Sequence, residues 1–487
     1  MALEDIIQGR KQKRKLLQDR GEYPYPGKGK RTHTTETFLS QFDELQKSEE
    51  EISLSGRLLA LREHGSLIFG VVYDGFAKIQ IVFKKDAMGE SAFRSVGDYV
   101  DIGDFMSVTG IAFTTKRGEK SVQVRRYSLI TKSLRPLPEK WHGLKDTEER
   151  YRKRYLDLLM NKEVRDLFAT RHSTIRAIRE FLHEKYFEEV ETPMLQNIPG
   201  GATARPFETH LNAMDMDMYL RIAPELYLKR LLVAGYEKVF EIGRNFRNEG
   251  VDASHNPEFT MLELYAAYED ERYGMALTEE MMELILQKTV GSTTHTFEGN
   301  EIVFQPPYQR IEFNEMLMKY TDIRYEDYNL ASLLKKADEM GVVIGKEVQS
   351  KAEVADEIYK KYCRKHFIQP TFIIHYPMEM VPLAKPLDNN PSYARSFQLV
   401  VGGIEMAKGY SESNDPVTQR QELEKQEEYR KKGDKEAHTM DTDFIEALEY
   451  GMPPACGIGI GIDRLVAFLS NANALREIIL FPTMRDK

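Results

Sequence analysis

The chain has 487 residues, a formal charge of −9, two cysteines, and 41% hydrophobic and 30% charged residues. Such a length exceeds one ordinary core and predicts at least two domains, while Cys363 and Cys456, far apart, exclude a disulfide framework and a thiolate-rich zinc site. No window approaches the roughly 18 apolar residues of a membrane span, MALEDIIQGRKQKRK lacks the apolar core of a secretion signal, and no HExxH occurs, so a cytoplasmic protein without a structural transition metal is expected.

Residues 1–50 read as a basic arm or helix. Between Arg10 and Arg31 stand nine Lys/Arg against Asp19 and Glu22, a local charge suited to a phosphate backbone or to a solvated face. Tyr23-Pro-Tyr-Pro-Gly-Lys-Gly cannot continue a helix. Over 51–132 five short β runs follow, separated by Gly/Asp turns. In KIQIVFK, Ile79, Ile81 and Phe83 share one face while Lys78, Gln80 and Lys84 lie on the other. Five such runs predict the five-stranded oligonucleotide-binding barrel.

Residues 133–153, with Pro136, Pro138 and the lone Trp141, read as a linker. The second domain, 154–487, opens with a helix marked by Ile175, Ile178, Phe181 and Leu182, followed by a strand over Val190–Met194 that Pro193 places at an edge. MYLRI, FEIGR, FIIHY and FQLVV alternate irregularly with helices, which predicts an α+β domain, an antiparallel sheet flanked by helices. A lysine- and glutamate-rich helical insertion spans about 320–366.

Two common nucleotide motifs are missing. Gly341-Val-Val-Ile-Gly-Lys-Glu is one residue short of a phosphate-binding loop and lacks its magnesium hydroxyl, and the glycines of 457–464 do not have dinucleotide spacing. Three other features work together. Phe246-Arg247-Asn248-Glu249 sends an arginine out of a strand, where it can neutralise a five-coordinate phosphorus; His255-Asn-Pro-Glu-Phe259 then brings a histidine and an aromatic back towards a base. Gly457-Ile-Gly-Ile-Gly-Ile-Asp-Arg464 permits close backbone approach and places a guanidinium at the strand end. The third is the helix–strand–proline unit ending at Pro193, which says nothing alone.

In this order the three resemble the class II aminoacyl-tRNA synthetases. Ile198-Pro-Gly-Gly-Ala-Thr-Ala-Arg-Pro-Phe, Tyr219-Leu-Arg-Ile-Ala-Pro-Glu-Leu-Tyr-Leu-Lys-Arg, His255-Asn-Pro-Glu-Phe-Thr-Met-Leu-Glu-Leu-Tyr, Glu446-Ala-Leu-Glu-Tyr-Gly-Met-Pro-Pro, Leu134-Arg-Pro-Leu-Pro and Arg154-Tyr-Leu-Asp-Leu are similar to the lysyl enzymes of the aspartyl/asparaginyl/lysyl subgroup. The resemblance runs over nearly the whole chain. It implies ATP, lysine and tRNA(Lys) as partners, magnesium accompanying ATP, no membrane, and a homodimer with the Ile175–Pro193 unit at its interface. It further implies Arg247, Glu249 and Arg464 as catalytic, with Arg247 on the α-phosphate and lysine carboxylate. His255, Asn256, Phe259 and Arg464 would join Arg247 around ATP, His255 and Arg464 on the outer phosphates and Phe259 and Arg464 sandwiching adenine. Gly201, Glu225, Glu263, Tyr265 and Glu412 would shape the amino-acid pocket, Glu405 and Gln398 would meet the metal, and Arg62, Phe69 and Gln80 would read the anticodon. Phe69 shares its strand face with Leu67 and Val71, so a core position is the competing reading.

The sign of the pocket offers a physical test. A buried ammonium without a counter-charge costs several kcal/mol, and Glu225, Glu263 and Glu412 are acidic, which favours lysine. Three positions depart from the family pattern. Lys408 replaces a common asparagine; a second ammonium about 4 Å from the first would repel it by roughly 4 kcal/mol at an effective dielectric near 20. Either Lys408 turns away, pairing with a carboxylate such as Glu412, or the pocket takes another amine; the first is preferred. Gln398 replaces a magnesium-binding glutamate and neutralises no charge, and Arg126 stands where an acidic residue is frequent.

Overall fold

The computed structural model describes residues 2–138, 144, 146–345, 348, 350–431 and 437–486. The chain divides into two compact units, Met1–Lys145 and Asp146–Lys487. The stretch expected as a linker straddles that division; its Trp141 lies outside the described residues, and Asp146 caps a short helix, Thr147–Arg152.

In the first unit, β1 (Ile52–His64), β2 (Leu67–Tyr73), β3 (Lys78–Lys84), β4 (Phe105–Thr114) and β5 (Lys120–Thr131) close a barrel in the order β1-β2-β3-β5-β4. Period-two alternation decides what fills it: Ile68 and Val72 of β2 and Ile79, Ile81 and Phe83 of β3 are buried in the barrel core. The basic arm is a helix over Leu3–Asp19, and part of its charge is structural. Buried Arg10 donates to the carbonyls of Ile102 (3.0 Å), Ser133 (3.1 Å) and Arg135 (3.1 Å), and Lys13 pairs with Asp101 at 2.9 Å. These two cations are thereby withdrawn from any phosphate. Arg126 reaches Glu51 at 2.6 Å on the surface.

In the second unit the helix Lys162–Glu184 leads into β6 (Glu188–Glu189). The strand expected over Val190–Met194 does not form. Pro193 has no N–H to give a ladder, and Thr192 donates its N–H and hydroxyl to Glu241 at 3.1 and 2.7 Å. Then β7 (Leu195–Gln196), β8 (Phe207–Leu211) and β9 (Met216–Leu220) make a small sheet, and β12 (Thr294–Phe297) and β13 (Asn300–Val303) a hairpin. The main sheet takes β6, β10 (Lys238–Phe246), β11 (Glu258–Ala267), β14 (Gln309–Glu312), β15 (Thr371–Ile374), β16 (Ser396–Val401), β17 (Ile404–Ser411) and β18 (Ala455–Gly461). Its order is β14-β15-β16-β17-β18-β11-β10-β6, antiparallel except where β14 joins β15 and β6 joins β10.

One face of this sheet is apolar. Phe240, Leu262, Leu264, Leu399, Ala407, Ile458 and Ile460 pack in one cluster with side chains of the helices Lys162–Glu184, Glu271–Thr289 and Ile462–Leu469. Within 313–367 the described residues fold largely as short helices around a second cluster, shared with Ile373 and Val400 of the sheet and with Tyr376. Among the described residues, no helix is long and apolar enough to cross a membrane.

Candidate active site

The opposite face of the sheet carries the chemistry, and strand register arranges it. Gln398, Lys408, Gly459, Glu263 and Glu241 are successive cross-strand partners from β16 to β10; one step along, Tyr410, Gly457 and Tyr265 form the next row. Partners across a ladder point to one face. Phe259, Met261, Glu263 and Tyr265 alternate along β11 while Leu262 and Leu264 point into the core. The three glycines of β18 all fall on the functional face. A methyl on Gly457 would overlap the Tyr265 ring and the Glu412 carboxylate, and one on Gly459 would overlap Met261. The Tyr265 ring blocks a side chain at Gly457, whereas at Gly459 the flexible end of Met261 would have to move. A cavity of about 340 Å³ results, lined by Gly201, Glu225, Arg247, Glu249, His255, Asn256, Phe259, Glu263, Tyr265, Glu405, Lys408 and Arg464 among others.

Its deep end is acidic. Gly201 has φ +85°, and its missing side chain leaves room for Glu225 and Ala223. Glu225 begins the helix Glu225–Val233, so Lys229 stands one turn later on the same face. The Lys229 ammonium, wholly buried, lies 2.7 Å from Glu225 Oε1 and 2.5 Å from Glu412 Oε2. Burial by itself would lower Lys229, but these two carboxylates hold it above the ordinary lysine value. Tyr410 donates to Glu225 Oε1 at 2.7 Å, and Tyr265 donates to Glu263 Oε2 at 3.3 Å. Burial, then the neighbouring Glu225, pushes the Glu263 carboxyl well above the usual range against the pull of Arg247. Glu412 sits just behind Gly457; burial also raises it, and its Oε1 has no hydrogen-bond partner among the described residues. Lys229 bridges Glu225 and Glu412, and Glu263 stands beside Glu225, so the ionisable groups of this end are mostly acidic.

The other end is cationic. Arg247 follows the last residue of β10, its guanidinium 5.1 Å from the Phe259 ring centroid, and its Nε has no hydrogen-bond partner among the described residues. Glu249, exposed, lies on the same rim. His255 is held by Asp252, Nδ1 to Oδ2 3.0 Å, and Asn256 donates to the Glu258 carbonyl at 2.6 Å while its own oxygen is unpartnered among the described residues. Arg464 stands in the first turn of Ile462–Leu469. Asp463 fixes that turn, accepting from Arg171 at 2.6 Å and from the Thr260 N–H at 3.0 Å. Sequence reasoning missed Lys229, Tyr410, Asp463 and Arg171. Only Lys229 had a local signal, its four-residue spacing from Glu225.

Two expectations change. Lys408 does not pair with Glu412, whose Oε2 meets Lys229 instead. Lys408 lines the cavity instead and has no ion pair among the described residues. Gln398 does not turn its oxygen to a metal. Both lone pairs are engaged, by the hydroxyls of Tyr359 (2.5 Å) and Tyr376 (2.9 Å), and its amide donates to Glu405 Oε2 at 2.5 Å. Glu405 Oε1 is 3.9 Å from Arg464. One carboxylate, half engaged, does not fit a protein-built divalent site, and among the described residues no group of three or more His, Cys, Asp or Glu is placed for one.

Residues 146–485 match the model of the class II tRNA synthetases (D, K and N). The chain belongs to that family. Residues 52–130 match the OB-fold nucleic acid binding domain. Among the similar curated proteins are the lysine–tRNA ligases of Clostridium tetani (47% identical, covering 99% of this chain and 96% of the relative), Moorella thermoacetica (47%, 99% and 98%) and Methanoculleus marisnigri (46%, 96% and 93%).

On the barrel of this synthetase, Arg62 and Phe69 are cross-strand partners and Gln80 pairs with Val71. All three lie on the outer face. Phe69 is half-buried there and stands outside the core cluster, with Arg62 exposed beside it. Gln80 accepts from Ser121 at 2.9 Å.

Proposed function

We propose that this protein joins L-lysine to the 3′ end of tRNA(Lys) through a lysyl-adenylate. The observation that carries this reading is the acidic deep end, where Glu225 and Glu263 line the cavity and Glu412, behind Gly457, keeps its Oε1 unpartnered among the described residues. A carboxylate substrate side chain would add an anion beside carboxyls whose ionisation burial already resists, whereas an ammonium favours their ionised form. Aspartate and asparagine, the other amino acids of the family description, are disfavoured on that ground.

In the first step a lysine carboxylate oxygen attacks the α-phosphorus of ATP in line, forming the acyl-phosphate bond as pyrophosphate leaves. Arg247, free at Nε, neutralises the phosphoryl oxygens with Arg464. His255 meets the outer phosphates, Phe259 stacks on adenine, and Asn256 and Glu249 border the nucleotide. Class II synthetases use ATP with magnesium in general; the protein itself offers Glu405. In the second step the terminal ribose hydroxyl attacks the adenylate carbonyl, the ester forms and AMP leaves. No side-chain nucleophile is required, since positioning and electrostatics lower the barrier. The barrel contributes tRNA selection through Arg62, Phe69 and Gln80. A homodimer in the cytoplasm completes the reading; Tyr186, within the unit assigned to the interface, is 86% exposed.

Pyrophosphate exchange with each of the twenty amino acids tests the assignment. Exchange is expected with lysine alone, followed by lysine transfer to tRNA(Lys). Exchange driven by another amino acid overturns the specificity, and lysine activation without transfer to tRNA overturns the acceptor.

A further inference from the structure

Lys408 is a charged residue that the mechanism leaves unused. It lines the cavity with Arg247, His255 and Arg464, and no ion pair or hydrogen bond holds its ammonium among the described residues. Of the neighbouring carboxylates, Glu225 and one oxygen of Glu412 pair with Lys229, and Glu405 Oε2 accepts from the Gln398 amide. Register brings Lys408 directly opposite Gln398 on one side and side-chain-free Gly459 on the other. A bulge matters as well. Leu399 pairs with Ala407 and Val400 with Glu405, so Met406 is the extra residue. A bulge re-aims the side chains that follow it, and both Glu405 and Lys408 line the cavity although they are three positions apart. Gln398, Glu405 and Lys408 therefore form one polar corner, in which the amide of Gln398 orients Glu405 and the ammonium is the free partner.

Resting on the assignment of this cavity to ATP, we propose that the Lys408 ammonium binds the ATP phosphates at the β16–β17 corner, as a fixed substitute for a divalent ion held between residues 398 and 405. Charge supports it. Neutral Gln398 adds no charge to the corner, and the Lys408 ammonium offsets the Glu405 carboxylate there without a metal ion. The Gln398 oxygen is closed to a metal by Tyr359 and Tyr376, so the corner keeps its positive charge on the protein. A phosphate oxygen bound there makes a charge-assisted hydrogen bond.

The test is calorimetric ATP binding to the full chain, first in EDTA and then with magnesium, which requires no amino acid. Wild type is expected to bind ATP in EDTA. Lys408→Asn should bind at least about tenfold more weakly there, the loss of one charged hydrogen bond, and recover most of it with magnesium. Lys408→Arg should stay near wild type, and Lys408→Asn with Gln398→Glu should bind tightly only with magnesium. The proposal is overturned if wild type needs magnesium to bind ATP, if Lys408→Asn binds normally in EDTA, or if Lys408→Arg loses as much as Lys408→Asn. Failure of lysine-dependent exchange in wild type would instead overturn the functional reading and leave the ATP result standing.

Discussion

The barrel and the catalytic sheet solve the same geometric problem in opposite ways. Each uses period-two alternation to send apolar side chains into a core and another set to a ligand. On the barrel the ligand set (Arg62, Phe69, Gln80) lies on an outer surface, and its charge remains in water. Around the catalytic sheet the charges are largely enclosed, and several are satisfied by each other: Lys229 by Glu225 and Glu412, Arg171 by Asp463. An open surface tolerates independent residues, while an enclosed one makes them interdependent.

That contrast can be broken most strongly at Lys229. Lys229→Met leaves Glu225 and Glu412 buried without their cation, and the expected loss of stability is about 3–5 kcal/mol, read by urea unfolding. A loss below about 1 kcal/mol would mean that the pair behaves like a surface pair. Next in size, Arg247→Ala should reduce lysine-dependent pyrophosphate exchange by about 10²- to 10³-fold while the fold, followed by circular dichroism, persists; near-normal exchange would remove Arg247 from the site. On the open surface, Phe69→Ala should weaken tRNA binding by about 1–3 kcal/mol and leave exchange unchanged. Weakened exchange in that variant would contradict the separation between the two regions.

The smallest effect sharpens the electrostatics. Burial raises the Glu263 carboxyl, so it keeps its proton at a pH where a free carboxyl has lost it. A bound ammonium favours the ionised form. Lysine binding should then release protons and tighten as pH rises, by less than the limit of about tenfold per pH unit for one proton. Calorimetry in buffers of different ionisation enthalpy measures the release; net proton uptake would reverse the assignment.

Much of this was legible in the residues. Ile79, Ile81 and Phe83 declared the barrel's inner face by alternation, and Ile175, Ile178, Phe181 and Leu182 declared a helix, because both patterns follow from local backbone geometry. Arg247, His255, Phe259 and Arg464 stood out through the strings around them, and the structure places all four on one cavity. The edge strand over Val190–Met194 was misread, since its apolar and β-branched residues say nothing of the hydrogen bonds that Glu241 offers Thr192.

By itself the sequence determined the two-part architecture, the family, and the acidic and cationic residues around which the activity is built. Those are properties of short-range pattern and residue type. Only the tertiary structure decided how the charges pair. Glu412 belongs to Lys229, 183 positions away in the chain; the oxygen of Gln398 belongs to two tyrosines; and Lys408 faces the cavity unpaired. Partners so distant in sequence meet through strand register and one bulge, and long-range register leaves no signature in any single stretch of residues.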